Sequence, residues 1–558
     1  MRRPGPRPRA GRAAGGELNR RPWWLAGLCG TICLAEWALV SAFEPTARAT
    51  LAPQVTAVPP FGVFHDLRWI AVGHDSWPTL GAELAAMLLG RGVLGAVSIG
   101  LVWPEGRRRP SWWRLFWRGV ASSAAAAVLL IPSASLLFGL AVVPVSWIFL
   151  AAVPLAVLVA LIIHPVALAP RWWRQTVPLR AAGWVIGSFF VLSAAGALMA
   201  SVPWWAGSLV ALAGGVFDAW SWRAVVHAVV DREPWSFPVP VVPVSLAALV
   251  ALVALGSTFG FIGARPSHQV KATAPSSLGG QPVLVVSGYG STYTGAPGGT
   301  AALPRTFSER RFSYRGLAPD HQPFPYTAAD TVKPLSVLDR MMAEQIRGLA
   351  ADSGRPVDVV AESEGALVAK TALLAEPSLP VKALVMASPL LVPGQTSYPQ
   401  GTSRGWGVGT SVLMRAIGAA FHSVSPVDLS PDNQFLASID SQGSVLRDAA
   451  SCPLAGVRQL AILPLADATV TPPGAASHLE QVVVVAFHGG ILGQAAYIKV
   501  VAQFLDGHRP ADNRFLTTAD DAIRLASAAW QVPGGPGSTS PTRCASAGAQ
   551  LGRAAFGS

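Results

Sequence analysis

Three residues of this chain have the types and surroundings for nucleophilic chemistry: Ser363 in "VDVVAESEGALVAK", Asp467 in "LAILPLADATVTPP" and His488 in "VVVVAFHGGILGQ". A serine hydroxyl is a poor nucleophile until a base takes its proton. Neutral imidazole can do that near pH 7, and a carboxylate fixes the ring's tautomer and stabilises the imidazolium. Attack on a carbonyl then creates an oxyanion, which needs converging backbone N–H donors; losing one costs roughly 3 kcal/mol. By position those donors would be the amides of Glu364 and Tyr289.

Ser363 is not the best match to the pattern G-x-S-x-G. Its first position is Ala361, whereas "GTSRG" at Gly401 to Gly405 matches completely, and "IDSQG" around Ser441 is a near match. Context separates them. Ser363 directly follows a β-branched run and Gly365 opens a helix-forming run, so Ser363 falls on a sharp strand-to-helix turn that exposes its hydroxyl. Small residues are needed on either side of such a turn, and Ala361 and Gly365 are small. Ser403 and Ser441 have no strand before them. Asp467 can also be read as a turn former ahead of Pro472, and His478 competes with His488 for the place of the base. Glu362 and Glu364 flank Ser363, either as solvated side chains or as acids that disfavour anionic substrates.

These residues need a scaffold, and residues 281–510 supply the pattern of one. Apolar strands are expected at 282–287, 310–314, 357–361, 381–388, 458–465 and 481–487, and helices at 331–353, 365–376 and 493–507. Strands alternating with helices predict a mostly parallel sheet covered on both faces. Nucleophile, acid and base then follow in the order Ser, Asp, His, each at a strand's carboxyl end, where open parallel sheets bind ligands. With "VLVVSGYGS" as the strand leading to an oxyanion loop, the region resembles the α/β-hydrolase family over about two-fifths of the chain. The resemblance implies ester hydrolysis through a covalent acyl-enzyme with no cofactor or metal. It leaves the substrate open. The sequence departs from the family at Glu362, where His is common, and at Ser287-Gly288, where His-Gly is common.

The first half is chemically different. Of the 20 Trp, 18 lie before residue 236, and the 558-residue chain is 51% hydrophobic with only 13% charged residues. Apolar stretches recur at Trp23–Phe43, Gly81–Trp103, Val120–Val143, Val145–Leu168, Ala182–Ser201, Trp205–Trp222 and Val242–Ile262, each near the roughly 20 residues that cross a bilayer. The sixth contains Asp218 and Arg223, which leaves six crossings possible. Arg-rich segments before the first span and after the second and fourth fix the first five with the N-terminus inside. The net charge of +12 is explained by these topology determinants and by attraction to anionic lipid, without nucleic acid.

The expected organisation is therefore a basic cytoplasmic tail (1–22), an α-helical multi-pass region (23–263), a Gly/Pro/Ser-rich linker (264–280), an α/β-hydrolase-like domain (281–510), and a helix followed by a disordered tail (511–558). Seven crossings place the second half outside the cytoplasm, where Cys452 and Cys544 could pair. Glu36 and Arg91, ionisable groups within spans, are expected to contact each other, the alternative being that Arg91 snorkels or bonds backbone carbonyls. The reading favoured is a membrane-anchored serine hydrolase acting on an acylated or lipid-like substrate, with the bilayer as partner. An acyltransferase with the same three residues is an alternative, as is a transport protein carrying a non-catalytic ligand-binding domain.

Overall fold

The computed structural model describes residues 21–43, 49–74, 76–139, 178–230, 280–295, 303–391, 408–422, 427–428, 430, 432–465, 467, 479–486, 488, 491–492, 494–527, 529–530 and 540–557. In the first half these form α1 (Arg21–Phe43), a 3-10 turn at Ala49–Gln54, α2 (Phe61–Gly73), α3 (Trp77–Leu101), α4 (Trp112–Gly139), α5 (Leu179–Ser201) and α6 (Trp204–Val230). Four of them, α1, α3, α5 and α6, are long and apolar enough to cross a membrane. Their outward faces carry apolar side chains such as Val93, Phe190 and Leu209, with the exposed Arg180 and Arg223 near helix ends, the pattern of helices that meet apolar surroundings along their length. Exposed indoles mark both ends, with Trp23, Trp24, Trp112 and Trp113 at one and Trp77, Trp204 and Trp205 at the other, as amphipathic rings do at headgroup level. The third expected span begins within α4 and runs past the described residues; the fourth and seventh lie outside them.

The sixth expected span is one continuous helix. Its Asp218 is almost fully buried and accepts a hydrogen bond from Thr56 Oγ1 at 2.8 Å, while Arg223 stays exposed. The expected Glu36–Arg91 contact is not formed. Glu36 Oε1 instead lies 2.5 Å from His65 Nε2, and Arg91 grips Asp66 with Nε and Nη2 at 2.6 and 2.5 Å. His65 Nδ1 lies 3.0 Å from Asp66, so α2 interposes a His-Asp pair between the two groups. Each charge thus finds a partner of shorter reach than the other span offers.

The second half is built on a six-stranded sheet of order β2-β1-β3-β4-β5-β6, with β1 (Gln281–Val286), β2 (Phe307–Arg311), β3 (Val357–Glu362), β4 (Val381–Ala387), β5 (Arg458–Pro464) and β6 (Glu480–Val484). Every pairing is parallel, with Val285 beside Val360 and Val360 beside Val385. Alternate side chains feed two cores. Leu284, Val359 and Leu384 pack under α7 (Leu335–Ser353) and α8 (Glu364–Ala375); Val283, Val360 and Val385 pack under α12 (Ala495–Leu505). Burial on both faces explains why the strands read as unbroken apolar runs. Between β4 and β5 lie α9 (Val408–His422), α10 (Gln434–Ser441) and α11 (Gly443–Ser451). The second strand begins three residues earlier than expected. The first long helix starts at Leu335 rather than Thr331, because Pro334 disfavours helical geometry in the residue before it.

Beyond α13 (Arg514–Ser527), the tail expected to be disordered contains α14 (Pro541–Phe556). Ala547, Leu551 and Ala555 form its buried stripe, and Gly548 and Gly552 let it approach α8 closely, since an added Cβ would lie 2.8 Å from Leu374 O and 3.3 Å from Ala375 O. A disulfide from Cys544 to Cys452 pins it. Composition rich in Ala and Gly concealed a helix whose small residues serve close packing.

Among the described residues, α9 and the stretch from α13 to Trp530 touch the first half. The Gly409 N–H at the start of α9 donates to His74 Nε2 at 3.0 Å. After α13, Ala529 occupies the space that a side chain at Gly196 would need, and its carbonyl accepts from Arg68 Nη1 at 2.9 Å. Trp530 stacks on Phe189 with centroids 4.8 Å apart and donates to Ser193 Oγ at 2.7 Å.

Candidate active site

Order β2-β1-β3 places the switch point of the sheet between β1 and β3, and Ser363 stands at the carboxyl end of β3 beside that crevice. Its backbone is held at φ +50° and ψ −113°, a conformation costly for a residue with a Cβ and persistent only where neighbours enforce it. They do so here: the Ser363 N–H donates to Ala387 O at 2.8 Å, and α8 starts at the next residue. Gly365 is required because a Cβ there would come within 2.7 Å of Val286 Cγ1 and 3.0 Å of Ser287 O. Ala361 is fully buried in β3, consistent with a position that admits only a small side chain.

Ser363 Oγ lies 2.9 Å from His488 Nε2, and His488 Nδ1 lies 2.7 Å from Asp467 Oδ2. Asp467 follows β5 and His488 follows β6. With Nδ1 protonated toward Asp467, Nε2 is left to accept the Ser363 hydroxyl proton. Burial works against the charged ring, but the Asp467 carboxylate, by charge and hydrogen bond, and then Glu362 more than offset it and raise the His488 pKa above its ordinary value. The neighbouring acids differ. Burial raises the Glu362 carboxyl, opposed by the charge of His488, a hydrogen bond from the Gly288 N–H and the charge of Arg311. Burial pushes the Glu364 carboxyl well above its ordinary value, opposed by a hydrogen bond with Tyr314.

The turn after β1 closes over Ser363. A Cβ on Gly288 would meet Ser363 Cβ at 3.1 Å, so the turn passes too close to Ser363 to carry a side chain there without a shift. Tyr314 Oη–H donates to Ser287 O at 2.6 Å, the Gly290 N–H donates to Thr331 Oγ1 at 3.0 Å, and Asn433 Nδ2 donates to the Tyr289 hydroxyl at 2.9 Å. Arg311 Nη2 donates to Ser287 Oγ at 2.9 Å. These supports were not singled out in the sequence. Tyr314 and Arg311 fall in "RRFSY", whose strand pattern masked them.

The competing residues stand elsewhere. Ser441 is an exposed residue at the end of α10 whose hydroxyl donates to Ser438 O at 3.0 Å. Ser403 and His478 lie outside the described residues. Among the described residues no three His, Cys, Asp or Glu side chains converge as metal ligands would.

Comparison with family models finds no match, and comparison with curated proteins finds none. Among solved structures, one titled a crystal structure of Aspergillus fumigatus lipase B is similar to this chain, at 15% identity and a TM-score of 0.25, over 52% of this chain and 65% of that one. Among the described residues, a helical half with four candidate spans is followed by a domain with helices around an all-parallel six-stranded sheet, an arrangement consistent with an α/β-hydrolase fold.

Proposed function

We propose that the protein is a membrane-anchored serine hydrolase that cleaves an ester through an acyl-enzyme on Ser363. The observation that carries this reading is the relay Ser363 Oγ–His488 Nε2 at 2.9 Å and His488 Nδ1–Asp467 Oδ2 at 2.7 Å, set at three strand ends beside a strained elbow. His488 takes the hydroxyl proton as Ser363 attacks the carbonyl, and Asp467 holds the ring and stabilises the imidazolium. The Glu364 and Tyr289 amides receive the oxyanion; Glu364 is the first residue of α8, where a backbone N–H has no partner within the helix. Collapse breaks the ester C–O bond, and His488 returns its proton to the departing alcohol. Water then repeats the sequence on the acyl-enzyme.

Two features support a catalytic domain on the extracytoplasmic side. Its contact with His74 lies by the start of α3, and the Arg-rich loop after Leu101 lies at the far end of that helix, about 36 Å away at 1.5 Å per residue. The Cys452–Cys544 disulfide fits an oxidising compartment. A domain seated on apolar helices favours acylated or lipid-like substrates.

The test is labelling of the detergent-solubilised full chain with an active-site-directed phosphonate, together with hydrolysis of p-nitrophenyl acyl esters. Ser363→Ala is expected to abolish both while leaving the protein folded. Labelling that survives this change and disappears with Ser403→Ala would move the nucleophile, and an unlabelled wild type would overturn the reading.

A further inference from the structure

Glu362 is a residue that the relay does not explain. It immediately precedes the nucleophile, yet it is a carboxyl only 6% exposed, and its Oε1 has no hydrogen-bond partner among the described residues. Burying an acid is costly unless something compensates it. The compensation comes from the turn after β1: the Gly288 N–H donates to this carboxyl, and the Arg311 guanidinium opposes its charge. Arg311 is itself tied to the same turn, with Nη2 donating to Ser287 Oγ at 2.9 Å and to Thr292 O at 3.3 Å, and its guanidinium lies 5.2 Å above the Tyr293 ring. Two consecutive residues, Ser287 and Gly288, are therefore held by Arg311 and Glu362. The next residue is Tyr289.

We propose that Glu362 and Arg311 act together as positioning residues for the hydrolase reaction: they clamp the turn Ser287–Tyr289 against Ser363. The charge of Glu362 also acts with that of Asp467 on the His488 ring. This deepens the proposed function and rests on Ser363 being the nucleophile. It accounts jointly for the two departures from the family pattern, the acid before the serine and the Ser-Gly in place of His-Gly. Because Gly288 lies too close to Ser363 to carry a side chain, a small displacement of the clamp shifts the Tyr289 amide relative to the attacking oxygen. The charged and titratable groups around the pair are few. His488 faces Asp467 after β5 and Glu362 on β3; Glu362 faces His488 and Arg311, with the Tyr314 and Tyr497 phenols in its field.

Two substitutions separate the charge from the hydrogen bond. Glu362→Gln keeps an acceptor for the Gly288 N–H and removes the charge, so His488 becomes less basic. The acid limb of the kcat/KM profile for a p-nitrophenyl ester should move to lower pH by about one unit, with the plateau nearly kept. Glu362→Ala loses both, and its plateau kcat should also fall more than about tenfold, a fraction of the loss of a whole oxyanion donor. Phosphonate labelling of Ser363 is measured alongside, with a thermal melt for folding. With both proteins labelled at Ser363, a Glu362→Gln profile that superimposes on the wild type overturns the charge effect on His488, and a folded Glu362→Ala protein with wild-type plateau kcat overturns the clamp. Absence of labelling in the wild type overturns the hydrolase reading. Glu362→Gln is nearly isosteric, so the charge effect remains measurable even if Glu362→Ala does not fold.

Discussion

Gly365→Ala tests the elbow with a single methyl group. The added Cβ would sit 2.7 Å from Val286 Cγ1 and 3.0 Å from Ser287 O, both closer than ordinary carbon contacts near 3.5–4.0 Å. The valine methyl can rotate only within a core where Val286 is fully buried, and the Ser287 carbonyl is backbone, already accepting from Tyr314 Oη. Relief therefore requires β1 and α8 to separate by several tenths of an ångström. Overpacking of this kind costs about 1–3 kcal/mol, which lowers the melting temperature of a domain of this size by roughly 2–4 °C for each kcal/mol. The same movement carries Gly288 and Tyr289 away from Ser363, so ester hydrolysis should fall by at least about tenfold, beyond what partial unfolding explains. The assay pairs a thermal melt of the solubilised full chain with initial rates well below that melt. Gly187→Ala is the control, since a Cβ there meets nothing within 4 Å. A Gly365→Ala protein with wild-type melt and rate would refute the close approach of β1 and α8.

The remaining predictions are these. The base must be neutral to accept a proton, and His488 is raised above its ordinary value; activity should therefore be lost as pH falls through a limb lying above about 6.5, and a limb below that value would contradict the carboxylate partnership. Cys544→Ser should lower the melting temperature, because the bond closes a separation of 92 residues and chain-entropy arguments assign such loops up to about 4–5 kcal/mol; reductant should bring the wild type to the variant's melt. Arg91→Ala should destabilise the helical half by roughly 3 kcal/mol, since it strips Asp66 of its paired donors; a thermal melt in detergent that does not move would show the pair to be dispensable.

How much of this was legible in the sequence depended on whether the determining contacts were local. The sheet was, because strands buried on both faces declare themselves as runs such as "PVLVVS" and "QVVVVAF". The strand-to-helix turn at Ser363 was legible for the same reason, and it outweighed the better pattern at Ser403. The helix at 541–556 was not, because an Ala/Gly stripe looks like low complexity until its partner α8 is placed beside it. Nor was the true company of Glu36 and Arg91. The short helix carrying His65 and Asp66 has no span-length signature, and two ions in neighbouring spans look like partners until a third element enters. The surroundings of Glu362 depend on Arg311, fifty-one positions earlier on the edge strand, and no local pattern connects them.

The insertion of Ala529 and Trp530 among residues 54–196 sets an order of biogenesis. The receiving slot is formed by residues synthesised early relative to its occupant, which is made more than three hundred positions later. Until then Arg68, which is 0% exposed in the finished protein, lacks the Ala529 carbonyl. The two halves therefore reach their final contact only after the whole sheet has been synthesised, and a chain halted before residue 529 displays an open aromatic slot with a cation at its base. Such a chain is physically distinguishable from a complete one by any quality-control factor that reads unfilled apolar surface.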